Sequence, residues 1–218
     1  MKVTRRLTVF AVVALLTGPI LCQETPSSVS ATSPAASKDP WDFNLTTQGY
    51  IIPNGTSYVD PDFSADRSWL HLEARYNNEN LRTGSVWVGY NFTAGKKLVL
   101  DVTPMIGGVF GRTTGIAPGC EASLTYKKLE ISITNEYVFD TKSKSGDFYN
   151  TWPQLTYSPW DWLQVGLMAN RTRAFQTSLD VQRGFFVGMT HKNLESTVYV
   201  FNVGFTDPSV VLEVGWSF

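Results

Sequence analysis

The 218-residue sequence is short of charge, since 17% of its residues are charged where an average soluble domain has roughly a quarter. Its formal net charge of -1 offers no basic surface for nucleic acid, which excludes that class of partner. Long apolar runs are also missing from the body of the chain, yet aromatic residues make up 13% and the mean hydropathy is -0.10. This combination suits one compact domain and leaves a membrane β-barrel open, because a barrel shows alternation rather than continuous hydrophobicity.

Residues 1–22 have the three parts of a secretory signal peptide. The positive charges of its first part come from Lys2, Arg5 and Arg6. The apolar part, residues 7–16, is much shorter than the about 20 residues of a spanning helix. Cleavage after Cys22 leaves Gln23 first. Lipidation of Cys22 is the alternative, although the residues before it depart from the small and aliphatic pattern of a lipobox.

Removal of the signal changes both the charge and the cysteine count. The exported chain keeps 15 basic and 19 acidic residues, a net charge of -4, and Cys120 has no partner for an intramolecular disulfide. Residues 23–40 are rich in Ser, Ala, Pro and Thr, a composition typical of a disordered leader. The predicted organisation is therefore a signal peptide (1–22), a leader (23–40) and a barrel (41–218).

From Trp41 onward, apolar and polar residues alternate with period two, the period of a β-strand. In the last segment the apolar members are Val210, Leu212, Val214, Trp216 and Phe218. The same alternation recurs at residues 70–77, 85–92, 129–137 and 163–170. No stretch after residue 22 has a convincing helical period with caps, so the predicted fold class is all-β.

Turn signals between these segments set the number of strands. They are Pro53-Asn54-Gly55, Ala94-Gly95-Lys96, Tyr126-Lys127-Lys128, Ser158-Pro159-Trp160-Asp161, His191-Lys192-Asn193 and Asp207-Pro208. If Phe218 ends in the periplasm, the tight turns are periplasmic and three longer links, 110–116, 140–146 and 172–178, face outward. An even strand number then requires a hairpin of residues 42–52 and 56–63. This predicts a closed antiparallel transmembrane β-barrel of about 12 strands, with ten strands as the alternative.

The chain ending, with aromatic Trp216 and terminal Phe218, resembles that of small porin-like outer-membrane β-barrels of Gram-negative bacteria. Segments such as ADRSWLHLEARYN and LTYSPWDW are similar to those of uncharacterised exported barrels. The resemblance covers residues 41–218. It implies a location in the outer membrane, contact with outer-membrane lipid and lipopolysaccharide, and recognition by the barrel-assembly machinery through Trp216 and Phe218 as the insertion signal. It implies no particular activity.

A secreted soluble β-sandwich or barrel is the alternative fold, because it would show the same alternation with its apolar faces turned inward. Aromatic residues near the predicted strand ends favour the membrane barrel, in which they form girdles at the lipid interfaces. These residues are Tyr76, Tyr90, Phe92, Tyr126, Tyr137, Phe139, Tyr157, Trp216 and Phe218.

If the apolar faces meet lipid, the polar faces line a lumen that is mostly acidic. The predicted lumen and selectivity residues are His71, Glu73, Arg75, Asp101, Glu121, Glu130, Glu136 and Glu213. In a narrow passage such carboxylates attract cations and repel anions. The sequence therefore predicts a porin-like transport channel for small solutes. The alternative is a closed structural or ligand-binding barrel, in which these groups pair with one another and with loop cations.

Three arginines cluster around the predicted outer link 172–178: Arg171, Arg173 and Arg183, with Asp180 beside them. Arginine matches phosphate with paired donors, so these residues are candidates for an anionic ligand or for lipopolysaccharide phosphates. The alternative is a solvated loop whose charges pair with one another.

Catalytic and metal sites are not expected. His71 lies on a polar face, whereas barrel lipases have their Ser and His on the lipid-facing outer wall. His191 falls in a predicted turn. No HxxxH or CxxC spacing occurs, and the sequence predicts neither metal nor cofactor. A barrel enzyme acting on envelope lipid is the least favoured of the three functions.

Overall fold

The computed structural model describes residues 40–218 apart from 54, 143–145, 175–179 and 205–207, and for 172–174 and 180 it describes the backbone alone. The predicted signal peptide, and the leader apart from Pro40, lie outside these residues. In the part of the chain that is described, no helix is long and apolar enough to cross a membrane.

Thirteen β-segments make up nearly all of the described chain. They are β1 (Asp42–Ile51), β2 (Tyr58–Arg67), β3 (Leu70–Tyr76), β4 (Thr83–Tyr90), β5 (Phe92–Gly95), β6 (Leu98–Gly111), β7 (Gly115–Tyr126), β8 (Leu129–Asp140), β9 (Phe148–Trp160), β10 (Leu163–Ala174), β11 (Asp180–His191), β12 (Leu194–Phe201) and β13 (Ser209–Ser217).

These segments form one closed antiparallel barrel. The ring closes where β1 pairs with β13, from Asn44 opposite Ser217 to Ile51 opposite Val210. Both β4 and β5 pair with β6, so they are one wall strand interrupted at Asn91, and the wall has twelve strands. The predicted twelve-stranded closed barrel is confirmed. The ten-stranded alternative is wrong because β2 pairs along its length with β1 and β3.

Short turns and longer loops lie on opposite rims. The turn rim carries the two-residue turns 68–69, 96–97, 127–128, 161–162 and 192–193, together with both ends of the barrel chain. The opposite, loop rim carries the connections 77–82 and 112–114 and the described parts of 52–57, 141–147 and 202–208, whereas residues 175–179 of the predicted link 172–178 lie outside the described residues. The predicted alternation of tight and longer links is therefore present. The link predicted at 110–116 is shorter than expected, because β6 and β7 pair as far as Val109 and Gly115.

The turn near Pro159 also differs in position from the prediction. Strand β9 continues through Ser158 and Pro159 to Trp160. The pairing with β10 shifts register between Leu163 and Val165. Proline lacks a backbone N–H and is tolerated where a ladder is irregular, so it does not end this strand.

Large apolar side chains cover the outside of the barrel. Toward the middle of their strands, Leu167 is 61% exposed and Ile106 53% exposed. Aromatic residues gather at the turn rim, where Trp69 and Tyr90, and Trp160 and Trp162, stack with ring centroids 5.7 Å apart. The soluble alternative is wrong because these apolar faces point outward, in the belt-and-girdle arrangement of a barrel in lipid.

Two apolar clusters pack inside the barrel. One is formed by Trp87, Met105, Val109, Ala117 and Val138, and the other by Met168, Phe186, Tyr199, Phe201 and Val211. Glycines make room for the largest member of the first cluster, because a Cβ at Gly107 would lie 2.5 Å from the Trp87 ring and one at Gly119 would lie 2.9 Å from it. These clusters narrow the lumen and support the polar residues beside them.

Candidate functional site in the barrel lumen

The structure places the predicted lumen residues on the inner wall. Strand β3 alternates clearly: His71, Glu73 and Arg75 are buried inside, whereas Leu72 and Tyr76 are exposed outside. Glu121 and Glu136 come from β7 and β8 and meet β3 across the lumen. The remaining three are Asp101 and Glu130, nearer the turn rim, and Glu213, at the middle of β13; they accept hydrogen bonds from Thr93, Thr125 and Gln48 respectively.

Arg75 is the centre of the strongest polar network in the lumen. Its Nη2 donates to Glu73 Oε2 at 2.6 Å and its Nη1 donates to Glu136 Oε2 at 3.1 Å. Glu121 and Asp62 each place a carboxylate oxygen 3.5 Å from the guanidinium. One buried cation thus neutralises part of the charge of four carboxylates, and the barrel wall supplies these from β2, β3, β7 and β8.

The Arg75 guanidinium also lies 4.7 Å from the centroid of the Trp87 ring, a cation–π contact. Trp87 in turn rests against Gly107 and Gly119, where no side chain would fit. Small residues in β6 and β7 therefore set the position of the aromatic ring, and the ring sets the position of the guanidinium.

His71 lies between two carboxylates. Its Nδ1 is 2.8 Å from Asp66 Oδ1, and its Nε2 is 3.6 Å from Glu73 Oε2. Asn91, at the interruption between β4 and β5, donates to the same Asp66 oxygen at 2.6 Å. These contacts make His71 part of the polar wall of the lumen. His191 is exposed at the turn rim.

Sequence reasoning missed five acidic residues of the lumen: Asp60, Asp62, Asp66, Glu79 and Glu195. The first three alternate on β2 with the exposed Val59 and Phe63, and this period-two pattern was the available signal. Glu79 had no such signal, because it belongs to the 77–82 connection and turns inward to accept hydrogen bonds from Ser85 and Trp87.

Two cavities lie along the lumen, one on each side of Arg75. The loop-side cavity has a volume of about 480 Å³ and is lined by Arg75, Glu136 and residues near the loop rim. The turn-side cavity has a volume of about 210 Å³ and is lined by Asp101, Ser123 and Ser132 among others. Glu121 and Thr134 line both cavities, so the Arg75 network stands between them.

Acidic side chains far outnumber basic ones inside the described barrel. The inner wall and the inward-turned Glu79 carry Asp60, Asp62, Asp66, Glu73, Glu79, Asp101, Glu121, Glu130, Glu136, Glu195 and Glu213, against Arg75 and His71. Five of these acids contact Arg75 or His71. The other six form no salt bridge with any described residue, so the lumen holds more carboxylates than its two basic side chains can pair with.

The predicted residues outside the lumen lie at the two rims. Arg171 and Arg183 are exposed on β10 and β11, and the register that pairs Ala169 with Arg183 puts both on the outer face near the loop rim. The side chain of Arg173 lies outside the described residues. At the turn rim, Trp216 and Phe218 are exposed by 59% and 61%. Phe218 also exchanges two backbone hydrogen bonds with Phe43.

This fold is that of a porin-like outer-membrane β-barrel. Similar solved structures include the KdgM porin and the KdgM porin in complex with disordered oligogalacturonate, each with a TM-score of 0.58 and 12% identity, covering 80% of this chain and 99% of that one. Omp33 of Acinetobacter baumannii has a TM-score of 0.48 and 10% identity, covering 84% of this chain and 100% of its own. No family model and no curated protein matches the sequence.

Proposed function

We propose that the chain is an outer-membrane channel for small solutes that prefers cations to anions. The observation that carries this proposal is the charge of the lumen, in which eleven carboxylates face Arg75 and His71. A low-dielectric wall lined by one sign of charge raises the local concentration of the opposite ion and repels the like ion.

Location in the outer membrane is supported by the exposed apolar belt and by the aromatic girdle at the turn rim. With the chain ends in the periplasm, the loop rim faces the outside of the cell. Arg171 and Arg183 then lie at the level of the outer headgroups, where lipopolysaccharide carries phosphate, and Trp216 and Phe218 are the segment offered to the assembly machinery.

The ligand of the KdgM porin is not the solute that we propose for this chain. The KdgM porin has been solved in complex with oligogalacturonate, which is a polyanion. Moving a polyanion past the Glu73, Glu121 and Glu136 carboxylates would be electrostatically unfavourable, and Arg75 is already engaged by them. The shared barrel therefore supports a channel, and the lumen charge supports a different class of solute.

Reversal potentials in planar bilayers test the proposal. Under a salt gradient, the purified barrel should show a reversal potential of the sign set by cations. Replacing Asp101 by Asn together with Glu130 by Gln should move it toward zero, since both carboxylates line the lumen without a salt bridge to a described residue. The control Asp161→Asn removes an exposed carboxylate of the 161–162 turn and should leave the reversal potential nearly unchanged.

Two results would contradict the proposal. Anion preference of the unmodified barrel would refute the role of the lumen charge. Absence of conductance from correctly folded barrel, identified by its heat-modifiable migration on gels, would instead support a closed structural or ligand-binding barrel.

A further inference from the structure

We infer that the loop-side cavity is a binding site for a small organic cation that offers N–H donors and at least one hydrogen-bond acceptor, such as an amino sugar. The inference rests on the proposed function and names the class of solute that the lumen selects. It is carried by unpartnered buried polar atoms, by the aromatic walls of the cavity and by its size.

Three carboxylates in the cavity wall each keep one oxygen without a hydrogen-bond partner among the described residues: Asp60 Oδ1, Glu79 Oε2 and Glu136 Oε1. Their residues are only 4%, 5% and 3% exposed, respectively. All three line the same cavity and interact electrostatically with one another. A buried carboxylate oxygen without a partner is costly, so this wall is suited to a ligand that brings positive charge and N–H groups.

The Nε1 of Trp152 is an unpartnered buried donor in the wall of the same cavity. It can be satisfied only by an acceptor, so a ligand that matches the whole wall carries an oxygen as well as an ammonium group. Tyr50 and Tyr58 add a stacked aromatic pair, with ring centroids 4.5 Å apart and planes within 8°. Aromatic faces beside carboxylates suit both a cation and the apolar face of a sugar ring.

A metal ion fits this wall less well than an organic cation. Among the described residues, no three His, Cys, Asp or Glu side chains are placed to hold one metal ion together. The cavity volume of about 480 Å³ is also far larger than a single ion needs. It falls within the range of about 300 to 1,000 Å³ that is usual for small-molecule sites.

The test uses three sugars of nearly equal shape and different charge: glucosamine, glucose and glucuronate. Binding is measured by calorimetry and by tryptophan fluorescence with the folded barrel in detergent micelles, near neutral pH where the amine of glucosamine is largely protonated. Glucosamine should bind, and glucose and glucuronate should bind at least about tenfold more weakly, because hydrogen bonds to charged groups are the stronger ones. In bilayers, glucosamine should also reduce the potassium current.

Matched amide variants locate the site. Asp60→Asn and Glu79→Gln should each weaken glucosamine binding by about tenfold to a hundredfold. Asp101→Asn removes a lumen carboxylate from the turn-side cavity and should weaken binding much less than either of these two variants. Trp152→Phe keeps an aromatic ring but loses the N–H donor. It should therefore narrow the difference in affinity between glucosamine and an ammonium ligand that carries no oxygen.

Equal affinity for glucosamine and glucose, or no binding of glucosamine to folded barrel, would overturn the inference. So would an equal loss of affinity in Asp101→Asn and Glu79→Gln. Because binding in micelles does not require ion flow, these results differ from a failure of the proposed function, which would show as missing conductance or anion preference.

Discussion

Replacing Arg75 by glutamine is expected to destabilise the barrel and to change its current. The side chains of Arg75, Glu73 and Glu136 are 4%, 5% and 2% exposed, so these ion pairs are shielded from water. Removing one partner of a buried ion pair typically costs about 3–5 kcal/mol, because the other charge is left uncompensated. Here four carboxylates lose their shared cation, and we expect the free energy of unfolding to fall by at least that amount.

Urea unfolding of the barrel in detergent micelles, followed by tryptophan fluorescence, measures this loss. Lys96→Gln removes an exposed turn-rim cation and should change the free energy by no more than about 0.5 kcal/mol. Adding Glu136→Gln to Arg75→Gln should recover part of the loss, since one unpaired charge disappears. An unfolding free energy for Arg75→Gln within about 1 kcal/mol of the parent would refute the view that the network is buried and coupled.

The same variant has a second consequence, which is measured in bilayers. The guanidinium stands between the two cavities, next to Glu121 and Thr134, which line both. Glutamine is shorter and uncharged, so Arg75→Gln should raise the single-channel conductance and strengthen the preference for cations. A lower conductance or a weaker cation preference in the folded variant would contradict this role of Arg75 and place the main barrier to ion flow elsewhere in the lumen.

Three further predictions concern the wall and its outer surface. Leu167→Arg puts a charge in the lipid-facing belt and should lower the free energy of unfolding, measured in lipid vesicles, by about 2–4 kcal/mol. The control Ser132→Arg, on the inner face, should not carry this penalty for a charge in lipid. Gly107→Val should destabilise the barrel by about 1–3 kcal/mol by displacing Trp87, while Gly108→Val, where a Cβ meets no atom within 4 Å, should be nearly neutral. Arg171→Ala with Arg183→Ala should weaken binding of purified lipopolysaccharide, and unchanged binding would remove this role from the outer arginines.

Much of the wall could be predicted from the sequence because the period of a strand is local. The alternation of β3 is enough to assign His71, Glu73 and Arg75 to one face and Leu72 to the other. The Asn54-Gly55 turn similarly predicts the first hairpin, and the requirement for an even number of strands then gives twelve strands. Each of these steps uses residues that are neighbours in the chain.

The contacts inside the lumen could not be predicted in the same way. Arg75 meets Glu121 and Glu136, which are 46 and 61 positions away, only because the sheet curves into a ring. The inward turn of Glu79 depends on Ser85 and Trp87, and the 77–82 connection has no periodicity to reveal it. Local patterns therefore predict which residues face the lumen from regular strands, whereas the partners of those residues depend on barrel closure.

The seam between β1 and β13 has a consequence for how the protein folds. Across it, Gln48 donates to Glu213 at 2.6 Å although the two residues are 165 positions apart. Such a distant contact has a high loop-closure entropy cost, so we expect this pairing to form last. Until it does, both strands present unpaired backbone edges that can pair with another chain. Since Phe43 and Phe218 are hydrogen-bonded neighbours, a short peptide joining the two ends would turn this slowest step into a local one and shorten the time during which the open edges can aggregate.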